Sequence, residues 1–121
     1  MNPSSIKVYH YPKCSTCKKA LQFLKGESID FEEIHIVESP PTKEELIKAL
    51  EDLGSSRKLF NTSGMVYREL GLKEKLDTLS DSEAVELLAS NGMLIKRPLL
   101  LKETTTLAGF REKEWMEVLA R

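Results

Sequence analysis

The chain has 121 residues and a formal net charge of -1, from 18 Lys and Arg against 19 Asp and Glu. This length predicts a single domain over residues 1–121, and a hydrophobic fraction of 40% is enough to form a core. The near-neutral balance disfavours direct binding of nucleic acid or of an anionic membrane, since both need a strong positive excess. No apolar run reaches the roughly 20 residues of a membrane span, and residues 1–5 do not begin a signal peptide. We therefore expect a cytoplasmic protein.

The first third of the chain predicts a strand, a helix and a second strand. Residues 6–11 are rich in β-branched and aromatic side chains, and residues 31–37 alternate between apolar and polar. Between them, apolar side chains recur at helical spacing from Ser15 to a stop at Gly26. This order is typical of a crossover unit with two parallel strands.

The middle of the chain, about 42–92, predicts a helical insert. Two segments match the capping-box pattern, Thr42-Lys43-Glu44-Glu45 and Ser80-Asp81-Ser82-Glu83, and each precedes an apolar stripe of helical period. Gly54 and Asn91-Gly92 are the expected ends of these two helices. A turn and a short helix over 59–70 lie between them.

Strand character returns late in the sequence. Leu94-Ile95 and residues 99–101 are apolar and flank Arg97-Pro98, residues 105–110 predict a last strand, and residues 112–120 predict a closing helix. The predicted fold is therefore α/β, with the order β-α-β, helical insert, β-β-α.

The motif Cys14-Ser15-Thr16-Cys17 lies where the first strand is expected to meet the first helix. A thiol attacks as its thiolate, and an ordinary cysteine with a pKa near 8.5 is only a few per cent ionised at pH 7. The N–H groups of the first helical turn, at Ser15 and Thr16, and a cation such as Lys18 favour the anion. We expect Cys14 to be the attacking nucleophile and Cys17, one turn further on, to be the resolving thiol.

Two other interpretations of the cysteines stay open at this point. A C-x-x-C pair can be half of a zinc site, with His10 and His35 as further ligands, although the spacing matches no standard zinc finger. Both cysteines could instead be inert core thiols, a description that suits Cys17 better than Cys14. A structural disulfide is disfavoured, because the pair encloses a very short loop and the cytosol is reducing. Redox chemistry without a metal is the prediction that best fits the context.

Arg97-Pro98 is the second candidate feature. Proline is tolerated at the start of a strand, and most X–Pro bonds are trans, so the residues alone favour an ordinary strand start. The alternative is a cis-proline loop beside the cysteines, in which the Arg97 guanidinium binds an oxyanion or the thiolate.

Three segments resemble the arsenate reductase family, which has a thioredoxin-like fold and includes the Spx and MgsR regulators. They are residues 11–20 (Tyr-Pro-Lys-Cys-Ser-Thr-Cys-Lys-Lys-Ala), 60–64 (Phe-Asn-Thr-Ser-Gly) and 94–99 (Leu-Ile-Lys-Arg-Pro-Leu). The resemblance spans essentially the whole chain and is greatest to the YusI-like branch of small bacterial members. It implies a mixed sheet of about four strands, a cis bond at Pro98 beside the cysteines, and supporting roles for Pro12 and Lys18.

The resemblance also implies an activity. Glutathione-linked arsenate reductases hold the oxyanion with three arginines, and Arg97 matches the one before the proline. Ser63 stands where relatives often carry another arginine, residues 104–107 supply none, and Arg111 follows late. Three further cations could compensate for the missing arginines, but each is expected to be a solvated surface charge: Arg57, Arg68 and Lys96. We expect a thiol–disulfide reductase that acts on a small oxidised substrate or an oxyanion, with thioredoxin, glutaredoxin or glutathione as electron donor and no bound cofactor.

A second function follows from the same resemblance. Regulators of the Spx kind use a C-x-x-C pair as a redox switch and bind the C-terminal domain of the RNA polymerase α subunit. The alternative expectation is therefore a redox-sensing transcriptional regulator with that partner.

Overall fold

The computed structural model describes residues 6–62, 64–103 and 105–119. Four strands form one sheet in the order β2-β1-β3-β4: β1 (Ile6–His10), β2 (Glu32–His35), β3 (Leu99–Lys102) and β4 (Thr105–Ala108). β1 pairs with β2 in parallel, whereas β3 is antiparallel to both β1 and β4. The predicted mixed sheet of four strands is confirmed.

Helices cover both faces of this sheet. Successive strand residues point to opposite faces, so Val8 packs in a cluster with Leu24 of α1 (Ser15–Gly26) and Trp115 of α6 (Glu112–Leu119). The next residue, Tyr9, packs in a second cluster with Leu46 of α2 (Lys43–Leu53) and Leu88 of α5 (Asp81–Ser90). The two clusters form the core, one on each side of the sheet.

The helices between β2 and β3 follow the sequence closely. Thr42 and Ser80 both complete a capping box with the glutamate three residues later, and Gly54 ends α2 with a left-handed backbone, φ 82°. The short helices α3 (Met65–Glu69) and α4 (Leu72–Lys75) lie between α2 and α5. No helix in the described part of the chain is long and apolar enough to cross a membrane.

Glu45 of α2 links this helix to the sheet through a hydrogen bond with Tyr9 and an ion pair with Lys7. One of its carboxylate oxygens accepts hydrogen bonds from the Tyr9 hydroxyl, at 2.7 Å, and from the Thr42 amide, at 3.0 Å, while the other lies 3.0 Å from Lys7 Nζ. Burial raises the pKa of Glu45, but the hydrogen bonds from Tyr9, Thr42 and Lys7 and the charge of Lys7 outweigh it, so the pKa is lowered. The carboxylate is therefore ionised in the folded state at neutral pH.

Three predicted strands were wrong in extent or kind. The strand predicted over 105–110 ends at Ala108, because Gly109 turns the chain with φ 79°. β2 ends at His35. The Nδ1 atom of His35 accepts hydrogen bonds from the backbone amides of Val37 and Glu38, both at 3.2 Å, and these hydrogen bonds close a turn. Leu94 belongs to a 3₁₀ turn over Gly92–Leu94 that the Asn91 side chain caps at 2.9 Å, and Ile95 makes only an isolated bridge to Phe60. The sequence expectations for Ser63 and for residues 1–5, 104 and 120 lie outside the described residues.

Candidate redox site

Cys14 occupies the N-cap of α1, directly after the turn that follows β1. Its amide donates to the Tyr11 carbonyl at 3.0 Å, and its extended backbone (φ -93°, ψ 116°) brings Sγ over the start of the helix. There Sγ accepts the Cys17 amide hydrogen at 3.3 Å. A capping sulfur therefore takes the place that Ser, Thr or Asp usually fills, facing N–H groups that are preferred partners of an anion. Cys14 is partly exposed and carries a free thiol.

Cys17 lies beneath Cys14 with only 1% of its surface exposed, and its thiol is also free. Burial raises its pKa from 9.0 to about 12, because the interior disfavours a thiolate. A hydrogen bond from the Tyr11 backbone opposes this rise. The side-chain hydrogen bond with Cys14 and the charge of Cys14 raise the pKa of Cys17 further, whereas the positive charge of Arg97 lowers that pKa. The two thiols thus interact, and Cys17 is held as the protonated partner.

A cavity of about 460 Å³ opens over Cys14. Ten residues line it: Cys14, Thr16, Asn61, Gly64, Lys96, Arg97, Ala108, Gly109, Phe110 and Arg111. Three of them are cations, and none of the described lining residues is acidic. The thiol therefore faces an open pocket of positive charge that suits an anionic ligand.

Arg97 is packed into the wall of this pocket. Its guanidinium carbon lies 5.1 Å from the centre of the Tyr11 ring, and one terminal nitrogen donates to the Met93 carbonyl at 3.3 Å. Its Nε is buried and has no hydrogen-bond partner. The Arg97–Pro98 bond is cis, as the family resemblance implies. A guanidinium with an unused donor lines the same pocket as the Cys14 thiol, which is the position predicted for binding an anion or the thiolate.

Lys96 and Arg111 both line the pocket, a position that the sequence does not predict for either of them. Lys96 is exposed, as expected of a surface charge, and it also lines the pocket because its stem lies over Gly109: a Cβ there would sit 2.8 Å from Lys96 Cε. Gly109 has φ 79°, and its amide donates to the Pro98 carbonyl at 2.9 Å. Only the unusual glycine between β4 and α6 could have signalled this contact from the sequence.

The remaining predicted site residues lie in or near the cysteine motif or beside Arg97, and they differ in whether they line the pocket. Thr16 lines the pocket, whereas Ser15 lies in the same exposed turn outside the lining. Pro12 and Lys18 are exposed and also lie outside it. Pro98 is buried and contributes through the carbonyl that holds Gly109.

The two histidines do not join the cysteines in a metal site. His10 Nε2 lies 3.1 Å from a Glu33 carboxylate oxygen, and His35 Nδ1 accepts two backbone amides. Among the residues that the structure describes, no three His, Cys, Asp or Glu side chains converge in a way that could hold a metal ion. The structure therefore offers no support for the zinc interpretation.

Comparison with known proteins defines the class of protein and then the family. The α/β fold, a mixed sheet of four strands with helices on both faces, matches solved structures of ArsC-related proteins. A crystal structure of a possible arsenate reductase from Streptococcus mutans UA159 superposes with a TM-score of 0.85 at 48% identity, over 89% of this chain and 92% of the other. The family model named ArsC family matches residues 9–118, and this chain belongs to that family.

Curated relatives of the chain fall into different functional groups. The chain is 52% identical over 114 residues to the uncharacterized protein YusI of Bacillus subtilis (strain 168), covering 93% of this chain and 97% of YusI. It is 34% identical over 99 residues to arsenate reductase of Escherichia coli (strain K12), covering 81% and 69%. It is 32% identical over 117 residues to the global transcriptional regulator Spx of Streptococcus agalactiae serotype V, covering 96% and 84%. Membership of the family is therefore compatible with an enzyme or a regulator.

Proposed function

We propose that this protein is a cytoplasmic thiol–disulfide reductase that uses Cys14 and Cys17 as its redox pair. The observation that carries the proposal is the pairing of an accessible helix-capping thiol with a buried second thiol one turn away. The accessible thiol faces a cationic pocket, whereas an inert core thiol would face apolar side chains. Arsenate reductase relatives support an oxidoreductase, and the pocket favours an anionic substrate.

The proposed reaction transfers two electrons from the protein to the substrate. The Cys14 thiolate attacks one sulfur of a substrate disulfide, forms a mixed disulfide and releases the other sulfur as a thiolate, which takes up a proton. Cys17 then loses its proton and attacks Cys14 Sγ, which expels the second substrate thiolate. Two substrate thiols and a Cys14–Cys17 disulfide result. A thiol donor such as thioredoxin, glutaredoxin or glutathione reduces that disulfide for the next turnover.

The environment of Cys17 suits this order of events. While Cys14 is a thiolate, its charge and hydrogen bond keep Cys17 protonated. Formation of the mixed disulfide removes both contributions, whereas the Tyr11 hydrogen bond and the Arg97 charge remain and favour the Cys17 thiolate. The resolving thiol therefore becomes easier to ionise only after the substrate is bound covalently.

Disulfide reduction coupled to a donor tests the proposal. The wild type, Cys14→Ser and Cys17→Ser are incubated with a neutral dithiopyridine disulfide, and thiopyridone release is followed with and without thioredoxin, thioredoxin reductase and NADPH. We expect turnover in the wild type, one stoichiometric release from Cys17→Ser, and no release above background from Cys14→Ser. Equal release from Cys14→Ser and the wild type would rule out the proposed nucleophile. Replacement of the disulfide by arsenate shows whether the oxyanion is also a substrate.

A redox-sensing regulator is the second candidate function, and the observation that favours it is the similarity to Spx over 96% of the chain. In this alternative the same cysteine pair selects between two states that bind the C-terminal domain of the RNA polymerase α subunit differently. Pull-down of that domain with the reduced and the oxidised protein tests it. Absence of binding in both states excludes the regulator.

A further inference from the structure

A second cavity of about 200 Å³ adjoins the pocket over Cys14. Three residues line both cavities: Lys96, Ala108 and Arg111. Beyond them, the second cavity is bounded by Lys58 and Glu114, among others. A groove therefore leads from Cys14 past Lys96 and Arg111 to Lys58, which belongs to the 3₁₀ turn Ser56–Leu59. We refer to it as the basic groove.

The basic groove carries an unbalanced positive charge. Its cations are Arg97, Lys96, Arg111 and Lys58, and Glu114 is the one acidic residue among its described lining. Among the residues that the structure describes, the ion pairs involve other side chains, and none of these four cations takes part in one. The protein as a whole has a net charge of -1, so this concentration of positive charge is local.

The dimensions of the groove favour an extended ligand over a single oxyanion. The first cavity alone lies within the range of roughly 300–1,000 Å³ that is usual for organic ligands, and a tetrahedral oxyanion fills only a small part of it. The groove also runs beside Ala108 of β4, the edge strand of the sheet, whose outer side has no neighbouring strand in the described structure. An edge strand can accept an extended peptide alongside it.

We propose that the basic groove binds an acidic peptide segment of an oxidised protein substrate, with the substrate cysteine at Cys14 and its flanking carboxylates at Lys96, Arg111 and Lys58. This inference rests on the proposed reductase function and gives that function a substrate class. The chemistry is the exchange described above: Cys14 forms a disulfide with the peptide cysteine, and the group formerly bonded to that cysteine leaves as a thiolate.

The test uses full-length Cys17→Ser protein, which stops at the mixed disulfide. Three peptides of equal length carry one cysteine activated as a thiopyridyl disulfide and flanked by Glu, Gln or Lys, and thiopyridone release gives the rate of attack by Cys14. At low ionic strength we expect the Glu peptide to react about tenfold faster than the Gln peptide, and the Lys peptide more slowly than either. Added salt should reduce the preference.

Matched charge variants identify the groove as the cause. Lys96→Gln combined with Arg111→Gln should bring the Glu-to-Gln rate ratio close to 1. The control, Lys73→Gln combined with Lys75→Gln on α4, removes the same charge away from the groove and should leave the ratio unchanged. An equal loss in both double variants would show a nonspecific effect of net charge and would overturn the inference.

A small dicarboxylic disulfide, the thiopyridyl derivative of mercaptosuccinate, separates a peptide from a small molecule. We expect Lys58→Gln to slow the Glu peptide and to leave mercaptosuccinate unaffected. If mercaptosuccinate is as strongly preferred as the Glu peptide and Lys58→Gln alters neither, the groove takes a small acid and the peptide proposal is wrong. The Gln peptide tests the proposed reductase function separately from the groove. If the Gln peptide reacts and the Glu peptide reacts no faster, only the groove proposal is wrong. If neither peptide gives a Cys14-dependent reaction, the proposed reductase function is wrong as well.

Discussion

Resolution of the mixed disulfide by Cys17 should accelerate steeply with pH. Burial raises the pKa of Cys17 from 9.0 to about 12 in the dithiol protein. At pH 8 about one such thiol in 10⁴ is ionised, compared with about one in four for an ordinary cysteine with a pKa near 8.5. Loss of the Cys14 charge in the mixed disulfide recovers part of this difference, but burial is the largest cause and persists. We therefore expect the resolution rate to rise about tenfold per pH unit from pH 6 to pH 8, without a plateau.

Stopped-flow mixing of the wild type with a thiopyridyl disulfide whose second thiol is fluorescent separates the two steps. Thiopyridone release reports attack by Cys14, and release of the fluorescent thiol reports resolution by Cys17. Cys17→Ser is the control, because it should retain the first release and lose the second. A resolution rate that stays constant between pH 6 and pH 8 would refute the reasoning, since it would mean that Cys17 is already ionised or that another step limits its attack.

Substitution of Arg97 should also change the rate at which Cys17 resolves the mixed disulfide. Its charge lowers the pKa of Cys17, so Arg97→Met should raise that pKa and slow resolution at a fixed pH, by less than about tenfold because burial is the largest influence on this thiol. Arg97→Lys keeps the charge but loses the planar contact with Tyr11, and should have a smaller effect. An equal slowing in both variants would indicate that packing, not charge, is what Arg97 contributes.

Two further predictions concern stability and are measured by urea unfolding. Tyr9→Phe removes a donor from Glu45 and should lower the free energy of unfolding by about 1–2 kcal/mol at pH 7. Because the folded-state pKa of Glu45 is lowered, this difference is present above the unfolded-state pKa and should shrink as the pH falls through the folded-state value; a difference that persists near pH 3 would contradict it. Gly92→Ala places a Cβ 2.1 Å from the Ile36 carbonyl oxygen and should cost about 2 kcal/mol or more, whereas Gly26→Ala meets open space and should be neutral or stabilising by up to about 1 kcal/mol. Equal stability of these two variants would show that the backbone around Gly92 can move.

Local sequence signals accounted for most of the secondary structure. The two capping boxes and the left-handed Gly54 depend on contacts within a few residues, and they lie where the sequence indicates. The sequence pattern is misleading where a side chain closes a turn, as at His35, or where Asn91 caps a 3₁₀ turn at a segment for which the pattern predicts a strand. In both cases a local hydrogen bond outweighed β propensity.

By itself, the sequence determined the candidate chemistry of this protein: the strand-to-helix position of the cysteine pair, its spacing of one helical turn, and the family to which the chain belongs. Only the tertiary structure decided what surrounds Cys14. The pairing of β1 with β3 carries Lys96 and Arg97 to a motif about 80 residues earlier, and the glycine after β4 lets Lys96 lie over the chain beside Arg111. Such contacts depend on strand register and on space between distant segments, which no short stretch of sequence encodes.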